Sequence, residues 1–132
     1  MHTVSLRYFT VFGPRQRPDM SIHRLCQAAV DGSTFPRYGD GTQIREFTFV
    51  SDIVAGNLAA ADGDAAPGTY VNLAGGAEIT LNALIALVGE VAGAPVAVDP
   101  GPKMAGDSFR TSGAIDRARE VLGWAPRVSL RD

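Results

Sequence analysis

The feature that most constrains this chain is the apolar series Leu81, Leu84, Ile85, Leu87, Val88 and Val91. It repeats at the spacing of one helix face, and Thr80 stands before it, where a hydroxyl can accept a bond from a free N–H of the first turn. The spacing predicts an amphipathic helix that must bury its stripe, so the rest of the chain has to supply a core. Upstream, 3–9 is rich in β-branched, aromatic and apolar residues and runs into Gly13-Pro14, which predicts a buried strand and then a loop. Ile22, Leu25, Cys26, Ala29 and Val30 keep a helical spacing that Asp31-Gly32 ends. Tyr38-Gly39-Asp40-Gly41 reads as a turn, and 44–50 as a strand with its apolar residues alternating. Ser51 or Asp52 is placed to cap an alanine-rich helix reaching about Asp62. A strand over 69–73, a short strand over 95–98, a Pro/Gly-rich loop over 99–107 and a last helix over 115–122, stopped by Gly123, complete the pattern. Strands and helices alternate, so the class is α/β or α+β.

With 132 residues, 45% hydrophobic and 20% charged, the chain is expected to form a single unit over 1–132 around one modest core. The net charge of −2 argues against a broad electrostatic footprint for nucleic acid or anionic membranes. The single cysteine, Cys26, cannot form an internal disulfide. No apolar run is long enough to span a bilayer, and Met1-His2 opens no signal peptide, so the expected location is cytoplasmic.

Two chemistries are missing from the sequence. There is no Gly-x-Gly-x-x-Gly or Walker-type segment. There is also no Tyr-x-x-x-Lys pair, since Tyr8, Tyr38 and Tyr70 are followed four positions later by Phe12, Thr42 and Ala74. His2 and His23 lack partners at metal-ligand spacing and are expected to face solvent. What stands out is a set of cations and an aromatic at turns: Arg15, Arg17, Tyr38 and Arg45. Forked guanidinium donors suit phosphate or carboxylate, although solvated surface arginines and a tyrosine packed in its turn fit the same pattern.

Three stretches carry a resemblance: Leu6-Arg7-Tyr8-Phe9-Thr10-Val11-Phe12-Gly13-Pro14-Arg15, Tyr38-Gly39-Asp40-Gly41-Thr42-Gln43-Ile44-Arg45-Glu46-Phe47, and Leu122-Gly123-Trp124-Ala125-Pro126. In order and spacing they are similar to the C-terminal parts of extended short-chain dehydrogenases/reductases acting on nucleotide sugars. The run through Gly13-Pro14 and Arg17-Pro18-Asp19-Met20 looks most like the UDP-glucuronate 4-epimerase branch.

The resemblance implies an α/β fold made of the edge strands of a Rossmann sheet plus the small C-terminal substrate-binding lobe. The family's reaction takes hydride from C4 onto bound NAD and returns it to the other face of the 4-keto sugar. The position matching Arg45 holds the diphosphate, that matching Tyr38 flanks the nucleobase, and that matching Asp107 accepts from the ribose hydroxyls. Thr10 and Arg17 match positions at the sugar end, where a hydroxyl and a guanidinium suit a C5 carboxylate. Tyr8 matches a position at the nicotinamide end of the cofactor site. Many relatives place an arginine three residues before the acid matching Asp107; Met104 stands there, with Lys103 beside it as the remaining cation. Glu46 replaces the usual aspartate, and Ser51-Asp52 stands where two acids are common. The family's glycine-rich dinucleotide turn and Tyr-x-x-x-Lys pair belong to an N-terminal NAD-binding domain. The resemblance therefore implies a nucleotide-sugar (UDP-sugar) binding portion with no catalytic residue of its own, the alternatives being a stand-alone, non-catalytic nucleotide-sugar binding module or a structural, dimerising remnant. By itself it is expected neither to bind NAD nor to epimerise, it would need an NAD-binding partner chain for activity, and it is expected to self-associate through the exposed interface.

Overall fold

A computed structural model describes residues 2–132; Met1 lies outside the described residues. Strand β1 (Val4–Tyr8) pairs in parallel with Thr69–Leu73, which is β5 in chain order. The strand expected over 3–9 is β1, although it is only partly buried; past Phe9 the backbone resumes as a second strand that was not expected, β2 (Thr10–Phe12), in a separate sheet. β2 lies parallel to β4 (Ile44–Phe49), whose other edge takes β6 (Glu78–Thr80) antiparallel. A third pair joins β3 (Phe35–Tyr38) to β7 (Val98–Gly101), again in parallel. Four helices complete the chain: α1 (Ser21–Asp31), α2 (Val50–Asp62), α3 (Leu81–Ala92) and α4 (Asp116–Leu122).

Two apolar clusters hold these elements. One gathers Ile53, Val71, Leu73, Ala74, Ile115, Ala118 and Trp124 beneath the β1/β5 pair, between α2 and α4. The other gathers Ile22, Leu25, Ala28, Phe35, Phe47 and Leu84, the inward faces of α1 and α3 against β3 and β4. The periodic helix forms as the spacing requires: Thr80 Oγ1 accepts from Ala83 N at 3.1 Å, and Gly93 ends it in a left-handed conformation. The α1 helix has no cap of its own; Gln16 Oε1 accepts from His23 N instead, while Gln16 Nε2 donates to Val11 O. His23 is half-buried, contrary to the solvent-facing position expected of it, whereas His2 is exposed.

Other expectations need correction. Ser51 and Asp52 do not cap α2, which begins one residue earlier with Phe49 at the cap position and no side-chain cap bond. Asp52 is buried at 4% exposure, where its Oδ2 accepts from Arg127 N and Val128 N, both at 3.0 Å, and its carbonyl accepts from Trp124 Nε1 at 2.9 Å. A carboxylate in the first turn also suits the helix dipole. The alternation expected over 44–50 is absent, since Glu46, Phe47 and Thr48 are consecutively buried. β4 is paired on both edges, by β2 and β6, and its three middle residues are covered on both faces, while Arg45 nearer its start stays partly exposed. The strand expected over 95–98 is displaced toward the C-terminus: β7 starts at Val98 and runs through Gly101 into the expected loop, because Phe35 N bonds Ala97 O and β3 draws the segment alongside. β3 and β6 were not expected, and each is very short.

Removing the Asp52 carboxylate leaves two backbone N–H groups without acceptors in a buried setting. Asp52→Ala is expected to lower unfolding free energy by about 2–4 kcal/mol, measured by urea denaturation; a loss near zero would show that the C-terminal segment is not anchored there.

Candidate functional site

The strand β4 places consecutive side chains on opposite faces, so Arg45 and Glu46 diverge. Glu46 turns inward to 3% exposure; Oε1 accepts from Gly76 N at 2.6 Å and Oε2 from Gly113 N at 2.7 Å. Two oxygens thereby tie β4 to two separate loops. No side chain fits at Gly113, because a Cβ there would fall 2.4 Å from Phe9 Cε2. The loop ending at Gly113 is further fixed along the edge of β4, where Ile44 N donates to Phe109 O and Thr111 N to Ile44 O. The same loop carries Asp107.

Arg45 turns outward and is held there. Its Nη2 donates to Asp107 Oδ1 in an ion pair, and its Nη1 donates to Ile44 O at 2.7 Å. Both side chains are partly exposed at 23% and 36%. The pair closes one end of a continuous groove. A cavity of about 120 Å³ around Arg45 and Asp107 is lined also by Ser21, Gln43, Thr80 and Leu81. A larger one of about 410 Å³ shares Ser21, Gln43, Leu81 and Asp107 with it and extends to Arg24, Tyr38 and Met104. Tyr38 stands at the end of β3, with 42% of its surface exposed.

The turn after Tyr38 is built rather than loose. Gln43 Nε2 donates to Tyr38 O at 3.1 Å, and Asp40 Oδ1 accepts from both Thr42 N and Thr42 Oγ1. Those bonds from Thr42 hold the Asp40 carboxyl below its ordinary range. Gly41 has φ +77°, and an added Cβ would sit 2.0 Å from Asn82 Oδ1, so only glycine fits. Asn82 Nδ2 in turn donates to Asp40 O, locking the turn onto the first turn of α3.

Thr10 and Arg17 line a third cavity of about 340 Å³, with Phe9, Phe12, Gln16 and Met20. It meets the groove through the chain step from Met20 to Ser21. Arg17 is exposed and paired with Asp19, Nη2 to Oδ2 at 2.5 Å, and this partner holds the Asp19 carboxyl below its ordinary range. The neighbouring Arg15 has φ 68°, unusual for a residue with a side chain.

Thus Tyr38, Arg45 and Asp107 come together along one groove, and Thr10 and Arg17 sit in the adjoining cavity. Lys103 does not join them: it is exposed beside the Gly39 turn and is not among the residues lining the groove. Tyr8 is also apart, its hydroxyl donating to Asn57 Oδ1 at 2.7 Å. Ser21, Arg24 and Gln43 line the groove although sequence reading did not single them out. Gln43 had a usable signal, lying two residues before Arg45 inside the same motif; Arg24 and Ser21 had none beyond a place on the first helix.

Among the described residues, Tyr8 lines none of the cavities described, and the Gly75-Gly76 turn after β5 leads into β6 rather than into a helix N-terminus of the kind that holds a dinucleotide's phosphates.

This mixed α/β fold with parallel strands and a cation- and acid-lined groove is of the kind seen in extended short-chain dehydrogenases/reductases. Residues 1–74 match the sequence model of the NAD dependent epimerase/dehydratase family, and the chain belongs to that family. YtcB of Bacillus subtilis (strain 168), described as an uncharacterized UDP-glucose epimerase, is 36% identical over 129 residues, covering 98% of this chain and 41% of that protein. A UDP-glucuronate 4-epimerase of Thermodesulfobacterium geofontis is 34% identical over 130 residues, covering 96% of this chain and 39% of the relative. Among solved structures, UDP-glucuronic acid 4-epimerase from Bacillus cereus in complex with UDP-glucuronic acid and NAD superposes with a TM-score of 0.92 at 34% identity, covering 97% of this chain and 41% of that one. The chain spans about two fifths of the length of the relatives it matches.

Glu46→Gln keeps the shape but exchanges one acceptor for an amide that faces an N–H. Because Glu46 is buried, the expected loss is about 1–3 kcal/mol of unfolding free energy, with faster amide hydrogen exchange at Gly76 and Gly113. Unchanged protection at both glycines would rule out the bridging role.

Proposed function

We propose that this chain is the UDP-sugar-binding portion of an NAD-dependent nucleotide-sugar epimerase/dehydratase, and that it grips nucleotide without catalysing. The observation that carries the reading is the joined groove, which has an exposed aromatic at one end and an arginine–carboxylate pair at the other. A planar ring suits a nucleobase, a guanidinium suits a diphosphate, and a carboxylate suits ribose hydroxyls. In this reading the ligand divides the ion pair: the diphosphate takes Arg45 and the ribose takes Asp107. Thr10 and Arg17 in the adjoining cavity would meet the sugar, with Arg17 exchanging Asp19 for a uronate carboxylate. Relatives described as acting on UDP-glucuronate support that choice of sugar. Lys103, beside Met104, is the cation left to stand in for the relatives' arginine at the diphosphate, although it does not line the groove.

C4 epimerisation then depends on a half that carries the dinucleotide turn and the general base. Tyr8 would line the nicotinamide end only when that half is in place. The two-stranded β1/β5 sheet supports such docking, since each strand has a single partner among the described residues and a two-stranded parallel sheet leaves its edges open. The same edges give a route to self-association, which sedimentation would reveal as a dimer.

Calorimetry tests the reading. The chain is expected to bind UDP and UDP-glucuronate and to give no heat with NAD; absence of heat with both uridine nucleotides would defeat it. Arg45→Ala is expected to weaken UDP binding by about 1.5–3 kcal/mol, the scale of a charge-assisted hydrogen bond.

A further inference from the structure

Almost every charged group along the groove has a partner. Arg45 is paired with Asp107, and Asp19, which lines the larger cavity, is taken by Arg17. Asp40 lies beside the groove and is satisfied by Thr42, with Lys103 nearby. Arg24 is the exception. It lines the larger cavity with Tyr38 and Asp107, is half-buried, and among the described residues its side chain has neither an ion pair nor a hydrogen bond. Its guanidinium is steadied only by lying 5.9 Å over the ring of Phe35, a core residue at 4% exposure. The groove therefore carries one uncompensated positive charge at a fixed place, on the first turn of α1, with its forked donors unused. An unpaired, partly desolvated guanidinium beside a cavity is a ready acceptor for a multivalent anion.

We propose that Arg24 is a diphosphate-binding residue, taking the non-bridging oxygens of a nucleoside diphosphate together with Arg45. This rests on the nucleotide reading of the groove and adds to it the cation present before the ligand arrives. Arg45 shares its charge with Asp107, whereas the charge of Arg24 is uncommitted. Ser21, Gln43 and Leu81 line both the cavity that holds Arg24 and the one that holds Arg45, so a diphosphate along that shared stretch would lie between the two guanidinium-bearing cavities.

The experiment is calorimetric titration of the whole chain and its Arg24→Gln and Arg24→Lys variants with UDP, uridine and inorganic pyrophosphate. Arg24→Gln is expected to weaken UDP roughly ten- to hundredfold, as loss of one charge-assisted bond implies, to abolish pyrophosphate binding, and to leave uridine affinity unchanged. Arg24→Lys keeps the charge without the fork and is expected to fall between wild type and Arg24→Gln; should the glutamine variant melt early by circular dichroism, the lysine variant decides. Unchanged UDP affinity, or equal weakening of UDP and uridine, would overturn the assignment while leaving the nucleotide reading intact. Failure of the wild type to bind UDP would instead defeat the nucleotide reading, and this assignment with it.

Discussion

The structure depends on one carboxylate. Glu46 is removed from water on the strand β4 and answers that cost by accepting from Gly76, in the loop between β5 and β6, and from Gly113, in the loop between β7 and α4. Without it, β4 would keep its pairing with β2 and β6 but lose its hold on the loop that ends at Gly113. That loop is what brings Asp107 opposite Arg45. The same bond joins the two apolar clusters, since Phe47 beside Glu46 belongs to one and Ala74 beside the Gly75-Gly76 turn belongs to the other. Asp52 repeats the device at the start of α2, binding the segment after Trp124 through two backbone N–H groups.

Arg45 and Glu46 are adjacent in sequence yet face opposite environments, and the pleat of β4 is what separates a structural carboxylate from an exposed guanidinium. The Arg45–Asp107 pair is partly exposed, so water screens it and its net contribution to stability is small. A weak pair of this kind orders both side chains while remaining open to exchange. Arg17–Asp19, more exposed still, has the same character in the neighbouring cavity. The groove thus presents its charged groups already oriented, which under the proposed function would lower the ordering cost of binding a nucleotide sugar.

Much of this was legible in the sequence, and what was not has physical causes. The helix α3 and the strand β5 were readable because apolar spacing and local propensity pointed the same way. The motifs around Tyr38, Arg45 and Trp124 indicated a family that the fold and the similarity to its members bear out. The strands β3 and β6 escaped because segments of three or four residues carry no periodicity, and β3 exists through pairing with the distant β7. The break at Phe9 depends on which partner each half of the segment finds, β5 or β4. Asp52 looked like a helix cap because local rules favour it there; contacts with Arg127 and Val128 prevailed. Arg24 was not singled out in the sequence because what distinguishes it among the described residues is the lack of an ion-pair or hydrogen-bond partner for its guanidinium, which no sequence pattern records.

If the groove between Tyr38 and Arg45 is a nucleotide site, Arg45 and Asp107 hold each other until ligand separates them. A nuclear magnetic resonance titration of isotopically labelled protein with UDP tests this, following the Arg45 side-chain N–H signals and the amides of 38–45 and 104–109. Saturable shifts confined to these residues and their groove neighbours are expected, with the Arg45 signals moving in wild type and moving differently in Asp107→Asn. Saturable shifts elsewhere, or none at Arg45, would contradict it.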